Sequence, residues 1–78
     1  MPTVLRIGGY RFFFYSNEND EPRHIHIQKA GSAAKFWLDP VTMATSVGFS
    51  AAELNKLGKM VEQHRQLFME AWDEFFGA

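Results

Sequence analysis

Hydrophobic and polar residues follow two different rhythms in this chain of 78 residues. Up to about residue 47, apolar positions alternate with polar ones or form short aromatic and β-branched runs, which is the pattern of β-strands. From about residue 51 they recur at spacings of three and four, which is the pattern of an amphipathic helix lying on a core. The sequence therefore predicts an α+β domain in which a sheet comes first and a helix follows.

Turn signals divide the first part of the chain into strands. Gly8-Gly9 predicts a two-residue hairpin, and Asp39-Pro40 interrupts the last part of the sheet. The predicted strands cover about 3–7, 10–16, 24–28, 33–38 and 42–46. Because the connections are short, we expect an antiparallel meander of four or five strands.

One long helix is predicted over about 51–76. Ser50 and Glu53 have the spacing of a capping box at its start, and Gly77 supplies the usual end signal. Its apolar stripe, which includes Val61 and Phe68, is expected to pack across one face of the sheet. The whole chain, 1–78, is predicted to form a single domain.

The alternation in HIHIQ, residues 24–28, predicts which side chains face the helix. Residues two apart on a strand share a face, so Ile25 and Ile27 lie on one side and His24 and His26 on the other. Burying the two isoleucines is worth roughly 3–6 kcal/mol, and leaving the imidazoles in water avoids a desolvation cost. The same reasoning on the neighbouring strands predicts an open outer face made of Arg11, Phe13, Tyr15, His24, His26, Gln28, Lys35 and Trp37.

The predicted outer face interleaves basic and aromatic groups without a carboxylate, which is typical of a surface that binds a partner. We expect a protein partner, since Trp, Tyr and Arg are common interface anchors. A homodimer through this face and the stacking of single-stranded nucleic acid are open alternatives. A fourth alternative is that loop 17–23, or the segment after Pro40, covers the aromatic residues. The predicted binding residues are Arg11, Tyr15, His24, His26, Lys35 and Trp37.

A metal site is a further hypothesis for the two histidines. His-x-His on a strand aims two imidazoles the same way, but a third ligand is needed to hold zinc. The loop carboxylates Glu18, Asp20 and Glu21 are candidates, and the alternative set is His24, His26 and Glu21. Because the motif alone is weak, we expect no metal. His64 lies in the stripe of the helix and is expected to face the opposite side of the sheet.

Catalysis is the remaining hypothesis, since histidine is the usual general base near neutral pH. His24 or His26 beside a loop carboxylate could serve a small hydrolase or a nuclease-like toxin. The sequence has no Gly-rich phosphate loop, no nucleophile elbow and no cysteine. We therefore expect a non-enzymatic protein without a cofactor.

Charge and composition indicate which kinds of partner and which cellular compartment to expect. The formal net charge is −1, with eight basic and nine acidic residues, so no overall basic field favours nucleic acid. The lack of cysteine favours the reducing cytoplasm. No apolar run approaches the ~20 residues that a membrane span requires, so no membrane partner is expected.

Five segments of the chain together resemble a known family. MPTVLRI, RFFFYSNE, EPRHIHIQKAG, AKFWLDPV and GFSAAEL, in this order, are similar to a family of small bacterial proteins, the domain of unknown function number forty-one sixty. The resemblance runs from Met1 to about Trp72, and His24 and His26 match the two histidines of its Pro-x-His-x-His segment. The family has no established activity. Its members are often encoded beside another small domain, so the resemblance implies a toxin–antitoxin-like or regulatory pair.

Overall fold

The computed structural model describes residues 3–18 and 20–77. In that part of the chain, one antiparallel sheet has the strand order β1-β2-β3-β4-β5, and two helices follow it. The α+β class and the five-stranded antiparallel meander are confirmed. The elements are β1 (Thr3–Ile7), β2 (Tyr10–Phe13), β3 (His24–Lys29), β4 (Ser32–Leu38), β5 (Val41–Val47), α1 (Ala51–Gln63) and α2 (Arg65–Phe76).

The hairpin between β1 and β2 turns at Gly8 and Gly9, as predicted. Their φ angles are 54° and 85°, a region that glycine adopts without steric cost. Ile7 pairs directly with Tyr10 across the turn, so only two residues connect the strands. This tight turn gives the register that sends Tyr10 and Phe12 into the core.

Strand β2 ends at Phe13, three residues earlier than the predicted strand 10–16. The chain turns there because the Glu18 carboxylate accepts a hydrogen bond of 3.1 Å from the Tyr15 backbone N–H. Phe14 stays buried and packs edge-on against Trp72, with ring centroids 5.3 Å apart. The connecting segment 14–23 is therefore longer than expected and can fold back over the sheet.

The prediction of a single long helix is wrong, because the chain breaks at His64 into α1 and α2. His64 has φ −109° and ψ 14°, outside helical geometry. Its backbone N–H is shared between the carbonyls of Met60 and Val61, and its Nδ1 lies 2.9 Å from the Met60 carbonyl. Directly after the break, the Arg65 Nε donates to the Leu38 carbonyl at 2.7 Å, which ties the start of α2 to the end of β4.

The core lies between the inner face of the sheet and the two helices. Ile25 and Ile27 are fully buried there, in agreement with the strand phase. Phe12 and Phe68 stack at its centre, with ring centroids 5.3 Å apart. Helix α1 packs on β4 and β5, and α2 packs on β3 and β4. Within the described residues, neither helix has the length and apolar character to span a membrane.

Candidate functional site

The six predicted binding residues lie on or beside three adjacent strands. Phe13 pairs with His26, and His26 pairs with Lys35 on the next strand. Two pairs along the same ladder, His24 pairs with Trp37, while Arg11 of β2 pairs with Gln28. Cross-strand pairing thus brings the residues of the predicted outer face together as one patch, with Tyr15 just beyond the end of β2.

Rings and cations are interleaved across this patch. The Arg11 guanidinium lies 4.2 Å from the centroid of the Phe13 ring, and the Lys35 ammonium lies 4.5 Å from that of Trp37. The His26 ring stacks on Phe13 at 5.5 Å and meets the edge of Tyr15 at 4.7 Å. Such contacts hold the side chains in defined positions.

The expectation that His24 lies in open solvent is wrong, because this side chain is fully buried. Its ring centroid lies 4.8 Å from that of Trp72 and 5.6 Å from that of Trp37. The end of α2 and the segment before β3 enclose the start of this strand. His26, two pairs further along, keeps 16% of its side chain accessible.

The segment before β3 also corrects the expectation of an outer face without carboxylates. It places Glu18 against the two histidines and Glu21 against Lys35. The hydrogen bond from Lys35 lowers the pKa of Glu21, an effect that burial partly opposes. Among the aromatic residues predicted to lie open on the outer face, Phe13 is buried, which corrects that expectation, whereas Tyr15 remains 40% exposed.

An ion pair fastens the same segment to the last helix. The Arg23 guanidinium donates two hydrogen bonds, of 2.7 and 2.8 Å, to the two carboxylate oxygens of Asp73. Such a two-pronged hydrogen bond fixes the orientation of the two side chains as well as the distance between them. The hydrogen bond to Asp73 also raises the pKa of Arg23. The contact keeps the end of α2, with Trp72, over His24.

Glu18, His24 and His26 form a compact cluster of potential metal ligands. One oxygen of Glu18, Oε1, lies 3.0 Å from His24 Nε2 and 3.0 Å from His26 Nε2. Its other oxygen, Oε2, lies 2.8 Å from His26 Nε2. One ligand atom from each residue can be chosen so that all three lie within 4.8 Å of one another. The third member is Glu18, whereas the alternative set from the sequence contained Glu21.

His24 is oriented so that one ring nitrogen is left without a hydrogen bond. Its Nδ1 lies 2.9 Å from the Pro22 carbonyl, and because a carbonyl oxygen can only accept, Nδ1 carries the ring proton. In the neutral ring, Nε2 then presents a lone pair. It is buried, and no described residue forms a hydrogen bond with it, since the 3.0 Å approach of the Glu18 oxygen lacks hydrogen-bond geometry.

Burial and hydrogen bonding set the protonation of the other two members. Burial lowers the pKa of His26 and outweighs the opposing effect of Glu18, so the His26 imidazole is uncharged at neutral pH. Burial raises the pKa of Glu18, but the hydrogen bonds from His26 and from the Tyr15 amide lower it below its ordinary value. Glu18 is consequently a carboxylate. The cluster thus presents a carboxylate, Glu18, beside an uncharged His26 imidazole.

A cleft of about 540 Å³ shares two lining residues, Trp37 and Trp72, with the surroundings of the His24 ring. Trp37 and two prolines form most of its apolar wall, and Trp72, only 4% exposed, adds a small area. Of the predicted binding residues, only Trp37 lines it. The complete lining is Glu21, Pro22, Arg23, Trp37, Asp39, Pro40, Thr42 and Trp72.

Two residues of the site, Glu18 and Trp72, could be predicted from the sequence only in part. Glu18 was one of three interchangeable loop carboxylates, and nothing in the local pattern distinguishes it from Glu21. Trp72 packs in the core from α2, but no spacing rule indicates that it also reaches His24 and the cleft. His64 is at the helix break, outside the cluster.

Fold and site together define a small α+β domain with a histidine- and tryptophan-rich site where β3 and β4 meet the end of α2. The chain belongs to the family described as "Domain of unknown function (DUF4160)", whose model matches residues 9–73. The Met1-Pro2 start quoted for the resemblance lies outside the described residues. Searches of curated proteins and of solved structures found no match.

Proposed function

We propose that this domain is a non-enzymatic binding module that recognises a protein partner through its outer face and the adjoining cleft. The observation that carries the proposal is the open cleft lined by Trp37, by two prolines and by the small exposed part of Trp72. Concave pockets with aromatic walls accept the anchor side chains that dominate protein interfaces. Arg11 and Tyr15 would extend the contact across the patch, with His26 between them.

The charges around the cleft favour a protein over a nucleic acid. Three basic side chains lie near it, and each contacts a carboxylate: Arg23 with Asp73, Lys35 with Glu21, and Arg65 with Asp39. Binding of nucleic acid requires basic side chains that can neutralise phosphate groups. Here the positive charge is already compensated, which leaves apolar contact and hydrogen bonding as the main attractions.

The toxin–antitoxin-like or regulatory pair that the family resemblance implies would supply such a partner. The proposed ligand is a short segment of that partner with an apolar anchor residue. Binding between two copies of this chain, or of single-stranded nucleic acid, would be a different use of the same patch.

Peptide display against the purified chain tests this proposal. Selected peptides would be titrated with tryptophan fluorescence as the readout, because both tryptophans of the chain line the cleft. Thr42→Arg fills the cleft from an exposed position on β5, and Gln63→Arg is its control at an exposed position of α1, outside the lining and the outer face. We expect Thr42→Arg to weaken binding at least tenfold and Gln63→Arg to leave it unchanged. Equal binding by all three proteins, or no selected binder, would contradict the proposal.

A small hydrolase or nuclease-like toxin is the second candidate function. It is favoured by the hydrogen bond of 2.8 Å between His26 Nε2 and Glu18, because a carboxylate that orients an imidazole is a frequent arrangement in general-base catalysis. His24, being buried, would act only through its neighbours. Cleavage of single-stranded RNA or DNA that is lost in His26→Asn and kept in His64→Gln would support this alternative. Cleavage that survives His26→Asn would exclude it.

A further inference from the structure

We infer that Glu18, His24 and His26 form a binding site for one divalent transition-metal ion, with zinc as the best fit. This inference is independent of the partner proposed above. It depends on the geometry of three side chains and on one buried nitrogen.

The orphaned Nε2 of His24 is the first observation. The nitrogen is buried without a hydrogen bond from any described residue, an arrangement that costs free energy. It also points at a carboxylate oxygen 3.0 Å away, and in the neutral ring with its proton on Nδ1 the two lone pairs face each other. A cation between them would convert an unfavourable contact into two ligand bonds.

The hydrogen bond on the other side of the His24 ring is the second observation. Metal-binding histidines usually donate their second N–H to a backbone carbonyl or a carboxylate, which fixes the tautomer and the ring orientation. His24 does this through Nδ1 and the Pro22 carbonyl at 2.9 Å. Trp37 and Trp72 pack against the ring, so its direction is held before any ion arrives.

The spacing of the ligand atoms is the third observation. Around tetrahedral zinc, bonds of 2.0–2.1 Å place neighbouring ligand atoms ~3.3 Å apart. Glu18 Oε1 already lies 3.0 Å from both His24 Nε2 and His26 Nε2. Only the two nitrogens, which are within 4.8 Å of each other, must approach. His26 would coordinate through Nε2, with its ring proton moving to Nδ1.

The ligand set indicates which ion is favoured. Two imidazole nitrogens and one carboxylate oxygen suit zinc and similar divalent transition-metal ions, whereas magnesium and calcium prefer oxygen ligands alone. Three protein ligands leave one tetrahedral position unfilled. Glu18 and His26 are each partly accessible, so this position faces the solvent side of the cluster, where water or a partner's side chain can complete it.

Metal titration of the purified full-length chain tests the inference. Zinc would be added to chelator-treated protein against a competing indicator, and cobalt(II) would be added separately to observe the visible bands of tetrahedral coordination. We expect one ion per chain with micromolar or tighter affinity, tetrahedral cobalt bands, a rise in melting temperature with zinc, and no response to magnesium.

Matched variants locate the site. Glu18→Gln, His26→Asn and His24→Phe are each expected to weaken zinc binding at least tenfold, with far-UV circular dichroism showing that each variant is folded. Asp20→Asn removes another carboxylate of the same loop, and His64→Gln removes the remaining histidine of the chain. Both controls are expected to bind zinc like the wild type. Absence of zinc binding by the wild type, or equal loss in the control variants, would overturn the inference.

Discussion

Replacing His24 by phenylalanine is predicted to stabilise the metal-free protein. The wild-type imidazole leaves Nε2 buried and unsatisfied, which costs about 1–3 kcal/mol. The substitution also removes the hydrogen bond from Nδ1 to the Pro22 carbonyl, a loss of about 0.5–1.5 kcal/mol. Pro22 is exposed, so water can replace the lost donor. The net expectation is a gain of about 1 kcal/mol.

The phenyl ring can take over the packing of the imidazole, because aromatic contacts surround it on three sides. Trp72, Trp37 and His26 have ring centroids 4.8, 5.6 and 5.1 Å from that of His24. His24→Ala is the control for packing. It removes the ring and leaves a cavity, and it is expected to lose ~2 kcal/mol or more.

Urea unfolding in the presence of a chelator measures both variants. With a slope of about 1–3 kcal/mol per molar urea, a gain of 1 kcal/mol moves the midpoint up by roughly 0.3–1 M. Repeating the experiment with excess zinc should raise the midpoint of the wild type only, since a ligand stabilises the state that binds it. A midpoint for His24→Phe that is clearly below that of the wild type in chelator would refute the reasoning, because Nε2 would then have a partner in solution.

Three further predictions concern the fold that supports the site. Phe68→Ala empties the fully buried centre of the core and should cost about 3–5 kcal/mol; a urea midpoint near that of the wild type would contradict this. Gly48→Ala should destabilise the chain by ~1–3 kcal/mol, because φ is +89° and the added Cβ would lie 2.5 Å from Ser32 Oγ; an unchanged melting temperature would contradict it. Burial, followed by the Glu53 carboxylate, raises the pKa of Tyr10. Folding therefore favours the neutral phenol, and stability should fall as the pH rises above about 10; Tyr10→Phe should reduce that fall, and an identical alkaline profile would contradict the assignment.

Under the zinc inference, His24 is a compromise between the stability of the metal-free protein and metal binding. A histidine with an orphaned buried nitrogen is poorer for metal-free stability than an apolar residue of the same shape. Proteins commonly depart from the most stable choice at positions that bind or react. The predicted gain on His24→Phe and the predicted loss of zinc binding are two consequences of the same nitrogen, and they are measured separately.

Local sequence determined most of the secondary structure. Alternation in residues 24–28 places the two isoleucines inward because a strand has a period of two. Paired glycines give the first hairpin, and Ser50 with Glu53 forms both hydrogen bonds of the predicted capping box. Each of these signals acts over a few residues, so it can be recognised without knowledge of the rest of the chain.

Tertiary structure decided the site itself. Strand phase predicts which face His24 occupies but not what covers that face, and the cover comes from Trp72, 48 positions later in the chain. Glu18 joins the two histidines because the chain turns after Phe14, where its carboxylate accepts the Tyr15 amide. A strand pattern carries no information about how a neighbouring segment folds back, since that depends on contacts such as Arg23 with Asp73 that form only when distant elements pack.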